Sequence, residues 1–218
     1  DISDDTKLLN YSFIGKNKGA SASNFGTKIE KHNDNLVLEL GLSSLLEHQS
    51  VLGSKFSGAF ELESGAKSVI FEAGFKKQIE KNLLINGYAN FSKTRANFKN
   101  QDLIEISTIS ARELSLGFEF DDFLKEKQKL LVDVIYPLSV TDGELNIKTI
   151  EGYRNGDYNK VSNRLDLVPY NRPQIINGKI ERELGFGTIA VGMTALNHLN
   201  NDGYSSEKII NFELSSRF

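Results

Sequence analysis

Few residues in this chain have the types and spacings that carry chemistry. Its three histidines, His32, His48 and His198, lie far apart in the sequence, and none has the closely spaced partners that a tetrahedral metal site draws on. They read as solvated loop residues. The chain holds no cysteine, which removes disulfides, thiolate ligands and thiol nucleophiles together. No Gly-x-Ser-x-Gly elbow presents a serine between a strand and a helix. Gly185-Phe186-Gly187 joins two alternating runs with no helix after it, so it reads as a turn and not as a phosphate loop. Lys76-Lys77 and the Lys125–Lys129 cluster are short and read as solvated turns. Asp121-Asp122, Asp142 and Asp202 could meet divalent ions bound to lipopolysaccharide, although solvation is the simpler account. No catalytic residue, metal or cofactor is expected.

A second set of charged residues has a different character. Glu39, Glu61, Glu72, Lys76, Glu113, Glu119, Asp133, Lys148, Lys179, Glu181, Glu213 and Arg217 each fall on the polar phase of a stretch whose other phase is apolar. The last nine residues show the rule most plainly. Ile210, Phe212, Leu214, Ser216 and Phe218 alternate with Asn211, Glu213, Ser215 and Arg217. Successive side chains of a strand point to opposite faces, so this stretch is apolar on one side and polar on the other. The same alternation runs through Leu36–Leu42, Val69–Phe75, Leu83–Phe91, Leu114–Phe120, Val132–Val140, Ile176–Ile180 and Ile189–Ala195. Phe25–Ile29, Phe56–Leu62 and Leu145–Ile147 follow the same rule, and Leu9–Phe13 is a weak case. With the terminal run this makes about twelve strands.

The chain has 218 residues with 26 basic and 29 acidic side chains, a net charge of −3. No basic field suggests nucleic acid. No apolar run approaches the roughly 20 residues of a membrane helix, a test that a barrel escapes because half of each strand is polar. No linker divides the chain, so 1–218 reads as one domain. The numbering begins at Asp1 without a signal peptide, and any targeting segment is expected to have been removed or to lie outside this sequence.

Glu63-Ser64-Gly65-Ala66, Thr141-Asp142-Gly143 and Leu184–Gly187 carry the Gly and Asp of tight turns. Longer connections at 44–53, 121–127, 151–173 and 198–205 are expected on one side of the sheet. The segment 94–111 keeps no stable phase and reads as a long turn or bulged lead-in, with a strand starting near Arg112. Ser43–His48 and Phe120–Lys129 have some helical character, at most as loop caps.

The fold these patterns imply is all-β: a transmembrane, antiparallel up-and-down β-barrel of the bacterial outer membrane, with apolar residues facing lipid and polar ones facing a lumen. A soluble sandwich or barrel also alternates, with its apolar face turned inward. Small residues on the polar phase (Gly26, Gly41, Ser57, Gly74, Ser115, Gly117, Gly192) and charges of both signs there favour the membrane barrel.

From about Phe56 onward the chain resembles the translocator domain of autotransporters (type V secretion), in particular barrels behind subtilisin-like protease passengers. Tyr136-Pro137-Leu138-Ser139-Val140-Thr141-Asp142-Gly143-Glu144-Leu145 is similar to that family's Gln-Pro-Leu-Arg-Val, two variable residues, Gly, a variable residue and Leu, so Pro137, Leu138, Val140, Gly143 and Leu145 carry the match. Ser57–Leu62, Phe91–Arg95 and Ile106–Arg112 fall where the family has its central hairpins and a loop. Phe218 and its alternating partners fit the C-terminal signal read by the barrel-assembly machinery. Tyr136 and Ser139 depart from the family pattern, and Leu196-Asn197-His198-Leu199 stands where Arg-x-x-Pro-Gly-His is expected. Residues 1–8 are too few for a linker helix in the pore, and no passenger is present.

The resemblance implies an anchor and exporter of a passenger, with any protease activity in that passenger. Its partners would be outer-membrane lipid and lipopolysaccharide, the assembly machinery, and the passenger or a surface-complex protein. It further implies that lumen carboxylates such as Glu72, Glu113, Glu119 and Asp133 could cut a passenger. Pairing with Lys76, Lys148 or Arg217 is the plainer account. A porin-like or structural barrel, and a soluble β-barrel holding an apolar ligand, remain open.

Overall fold

The computed structural model describes residues 5–17, 20–52, 54–55, 61–154, 157–169, 172–184, 187–200 and 203–216. These residues form strands and turns, with no helix among them. The strands are β1 (Thr6–Asn17), β2 (Ala20–Asn33), β3 (Leu36–His48), β4 (Ser50–Val51), β5 (Ser54–Lys55), β6 (Leu62–Glu80), β7 (Leu83–Phe98), β8 (Ile104–Ile106), β9 (Ile109–Asp121), β10 (Gln128–Asp142), β11 (Glu144–Arg154), β12 (Asp157–Asp166), β13 (Arg172–Leu184), β14 (Gly187–Asn200) and β15 (Gly203–Ser216).

Ten of them make one antiparallel up-and-down sheet in the order β1-β2-β3-β6-β7-β9-β10-β13-β14-β15. This is the all-β barrel wall that the alternation implies, with ten strands where the sequence suggested about twelve. Among the described residues no pairing joins β1 to β15. An even count leaves these two edges antiparallel, as a closing seam needs. Registers are continuous through most pairs, from Thr6↔Lys31 to Asn17↔Ala20 in the first hairpin and from Gly187↔Ser216 to Asn200↔Gly203 in the last.

The connections sort by end. Asp34-Asn35, Lys81-Asn82 and 122–127 lie at one end, where β13 also ends and β14 begins, and the β3–β6, β7–β9 and β10–β13 connections leave from the other. The expectation that 121–127 joins the long loops is thereby corrected: it caps β9 and β10 at the turn end. The error came from counting Leu145–Ile147 as a wall strand. Those residues lie in β11, which pairs with β12 and β8 in a separate three-stranded sheet. Gly143, at φ +149°, marks the point where the chain leaves the wall.

Other expectations also change. Glu63–Ala66 is not a turn but part of β6, where the register shifts between Leu62 and Ala66. Gly65 has φ +82°, and a Cβ there would lie 1.9 Å from the Glu47 carbonyl oxygen, so only glycine fits this bulge. Strand β7 runs to Phe98, β8 covers Ile104–Ile106 and β9 begins at Ile109, and together they fill most of the irregular 94–111 segment with strand. Ser43–His48 completes β3, and 122–127 is a turn. His32, His48 and His198 lie in β2, β3 and β14, not in loops. Phe56–Phe60 and Phe186 lie outside the described residues.

A dry core forms at the long-loop end, where Val51 and Ile104 pack with Leu62, Ala66, Ala96, Phe98 and Ile109 of the wall. Val140, Leu145 and Leu167 pack against it. Pro137 and Leu138 sit at a register shift in β10, between Tyr136 and Ser139. The motif from Pro137 to Leu145 therefore bends the wall strand and seats Val140 and Leu145 on this core.

Candidate functional site: the polar face of the sheet

Cross-strand partners share a face, so the registers sort every side chain of the wall. One face carries Leu40, Phe71, Phe91, Leu116, Val191 and Phe212, and these are exposed: Leu40 55%, Phe71 45% and Phe212 81%. The other face carries the charged and small residues and is the crowded one. A Cβ at Gly117 would lie 2.5 Å from Asp133 Oδ1 and 2.7 Å from Asn86 Oδ1, and one at Gly41 would lie 3.0 Å from Glu72 Oε2. In a barrel wall the crowded face is the concave one. Hydrophobic burial, which dominates soluble folds, is thus absent from the middle of this sheet.

The polar face is cross-linked from strand to strand. Lys28 Nζ of β2 donates to Glu39 Oε2 of β3 at 2.6 Å, with Glu30 at 4.0 Å. Tyr88 OH of β7 donates to Glu72 Oε1 of β6 at 3.3 Å. Gly41 stands between Lys28 and Glu72 in the register, and its missing side chain leaves room for the Glu72 carboxylate. Toward the turn end, Lys129 reaches Glu119 at 2.6 Å and Asp121 at 3.0 Å, and Lys179 reaches Glu181 at 2.7 Å. Thr194 donates to Asn177 Oδ1 at 3.0 Å. Toward the loop end the face is buried. Ser68 and Thr94 share a 2.7 Å hydrogen bond, and each is 1% exposed.

The loop after β3 is held onto this buried part. The Glu47 carboxylate accepts the Leu52 N–H at 2.7 Å and the Ser50 hydroxyl at 3.2 Å. Gln49 and Leu52 both take positive φ, +60° and +49°, conformations that cost non-glycine residues free energy unless their surroundings fix them. Nothing in the alternation singled out Glu47, which is 6% exposed, because its role depends on a loop folding back.

Glu39, Glu72, Lys76, Glu113, Glu119, Asp133, Lys179 and Glu181 share the polar face by register, along the rows Lys28↔Gly41↔Glu72↔Asn90↔Glu113 and Lys76↔Asn86↔Gly117↔Asp133↔Asn177. Glu213 pairs with Ala190 on the same row as Glu181. Lys148 is not in the wall but in β11 of the side sheet, opposite Ser162. Glu61 precedes β6 and pairs with Lys99 at 2.7 Å. The cations beside the carboxylates are therefore Lys28, Lys129 and Lys179. In β1 the expected phase is reversed: Leu9, Tyr11 and Phe13 face inward opposite Lys28, Gly26 and Asn24, while Leu8 and Ile14 lie on the outer side. Of the C-terminal pattern, Ile210 and Phe212 are exposed on the outer face, Leu214 and Ser216 pair with Ile189 and Gly187, and Arg217 and Phe218 lie outside the described residues.

No family model and no curated protein matches the chain. Among solved structures it is similar to the "TodX monoaromatic hydrocarbon channel deltaS2 mutant", at 12% identity and a TM-score of 0.44. The match covers 94% of this chain and 65% of that one, so the chain spans less than two thirds of that structure's length.

Proposed function

We propose that this chain is a transmembrane β-barrel of the bacterial outer membrane, narrow and lined by polar side chains, that anchors or conducts small polar solutes. One observation carries the reading. On the outer face of β6, Lys77 and Lys67 bracket Phe75, Ala73, Phe71 and Val69. Ten residues separate the two lysines (77 − 67), about 34 Å along a strand. At the usual tilt of roughly 40° this is about 26 Å of height, against the apolar band of about 25 Å on membrane barrels. A soluble barrel holding an apolar ligand would need the opposite polarity. The test is refolding into phosphatidylcholine liposomes, followed by electrophoresis with and without heating. A compact, heat-modifiable and protease-resistant species supports the reading, and a monodisperse protein in detergent-free buffer contradicts it.

The finer reading, a translocator that exports its own passenger, rests on the resemblance of Tyr136–Leu145. Roughly eight strands leave room for side chains alone. Ten strands with Tyr11, Tyr88, Leu131 and Ile135 on the inner face, and a hydrophobic core at the loop end, leave little for a polypeptide. We therefore favour the narrow barrel, to which we assign no catalysis. Several hundred passenger residues encoded ahead of Asp1 would reverse that preference.

A further inference from the structure

At the loop end of the outer face, the apolar band meets a group of cations with no acid among them. Lys67 of β6 stands directly opposite Arg95 of β7, Lys93 lies one step below, opposite Val69, and Arg112 of β9 lies opposite Phe91. All four are exposed. Among the described residues none of the four enters an ion pair. The acids nearest in register are Asp142, two strands from Lys93 across Ser110, and Glu63, in the β6 bulge between Leu62 and Ala66. Like charges directly opposite each other on neighbouring strands repel, so the Lys67–Arg95 pair calls for an anion between them.

The surface has the shape for one. Lys67, Lys93, Arg95, Asn97, Ser64 and Thr108 border a cleft of about 660 Å³. Directly below it, Val69, Phe71, Phe91 and Arg112 border a second, apolar groove of about 420 Å³, and Val69 and Lys93 line both. A charged cleft opening into an apolar groove, at the boundary of the apolar band, matches an amphiphile with an anionic head and an acyl chain.

We propose that this face binds a phosphorylated glycolipid of the leaflet on the long-loop side. One phosphate would lie between Lys67 and Arg95, a second between Lys93 and Arg112, and an acyl chain along Phe71 and Phe91. Lys67 and Arg95 are directly opposed, and Lys93 and Arg112 lie diagonally across β7 and β9; two such groups favour a head with two phosphates over one. The guanidinium groups of Arg95 and Arg112 offer paired N–H donors suited to phosphate oxygens. The proposal rests on the membrane-barrel reading and gives that barrel a specific lipid.

The test titrates the full refolded chain in detergent with a diphosphorylated hexa-acyl glycolipid, phosphatidylglycerol, phosphatidylcholine or inorganic phosphate, and reads the bound fraction by native mass spectrometry. The wild type should retain the glycolipid at least about tenfold better than phosphatidylglycerol, and the K67Q/K93Q/R95Q variant should lose at least about tenfold in glycolipid affinity. A K31Q/K77Q/R182Q variant, which removes as many cations from the turn end, should bind like the wild type. Equal retention of phosphatidylglycerol, equal loss in both triple variants, or full competition by inorganic phosphate would overturn the proposal. Both triple variants must first show the heat-modifiable band of the wild type. A wild type that fails to show it would count against the barrel reading itself, whereas a folded barrel without glycolipid preference would sink this inference alone.

Discussion

The ring of Tyr11 lies over Gly26 on the neighbouring strand, where a Cβ would come within 2.4 Å of Tyr11 Cζ and 2.7 Å of Ser43 Cβ. The missing side chain lets an aromatic residue of β1 fold down onto the polar wall. Gly26→Val should therefore destabilise the barrel by roughly 1–3 kcal/mol through overpacking, and Tyr11→Ala in the same chain should recover part of that. Gly178, where a Cβ would meet nothing within 4 Å, is the control: Gly178→Ala should be close to neutral. Urea midpoints in liposomes read all three.

Gly65 holds the bulge that brings β6 against the carbonyl of Glu47. Gly65→Ala combines the strain of φ +82° with contact to backbone, a cost of at least about 1–3 kcal/mol. The barrel should still form, while the segment after β3 should be cut faster by protease. Equal cleavage rates in the two proteins would remove the constraint assigned to Gly65.

Ser68 and Thr94 satisfy each other beneath the loop-end core. Thr94→Val leaves the Ser68 hydroxyl buried without its partner and should cost about 1–3 kcal/mol. Adding Ser68→Ala should cost little more, or restore stability. A double-mutant cycle in urea measures the coupling, and simple additivity would argue against the pairing.

Glu39, Glu72, Glu113 and Asp133 share the polar face with Lys28 and Lys76, giving the middle of the wall a surplus of negative charge. Planar-bilayer recordings across a salt gradient should show a small conductance that prefers cations, and E72Q/E113Q should weaken that preference. An anion-selective wild type would contradict the assigned face.

Much of this was legible in the sequence, because alternation at period two survives in almost every wall strand. Glu72 and Phe71 could be placed on opposite faces before any pairing was known. The failures have physical causes. Gly65 signals a turn and a bulge with the same chemistry, so Glu63–Ala66 read as a connection. β1 is apolar on both sides, Leu8 and Ile14 against Leu9 and Phe13, and only its register with β2 assigns the faces. Strand β11 alternates like a wall strand but pairs elsewhere, which shifted the count and put 121–127 at the wrong end. The Lys28–Glu39 pair and the Glu47 loop contacts arise from register and fold-back, which no local pattern contains.

The most direct test of the account exploits the absence of cysteine. Single substitutions Leu40→Cys, Phe71→Cys, Glu72→Cys and Asp133→Cys would carry nitroxide labels in liposomes, with accessibility to oxygen and to a water-soluble nickel chelate read by electron paramagnetic resonance. Labels at 40 and 71 should be reached by oxygen and shielded from the chelate, and labels at 72 and 133 should show the reverse. The opposite pattern, or chelate access at all four positions, would mean that the apolar face does not meet lipid.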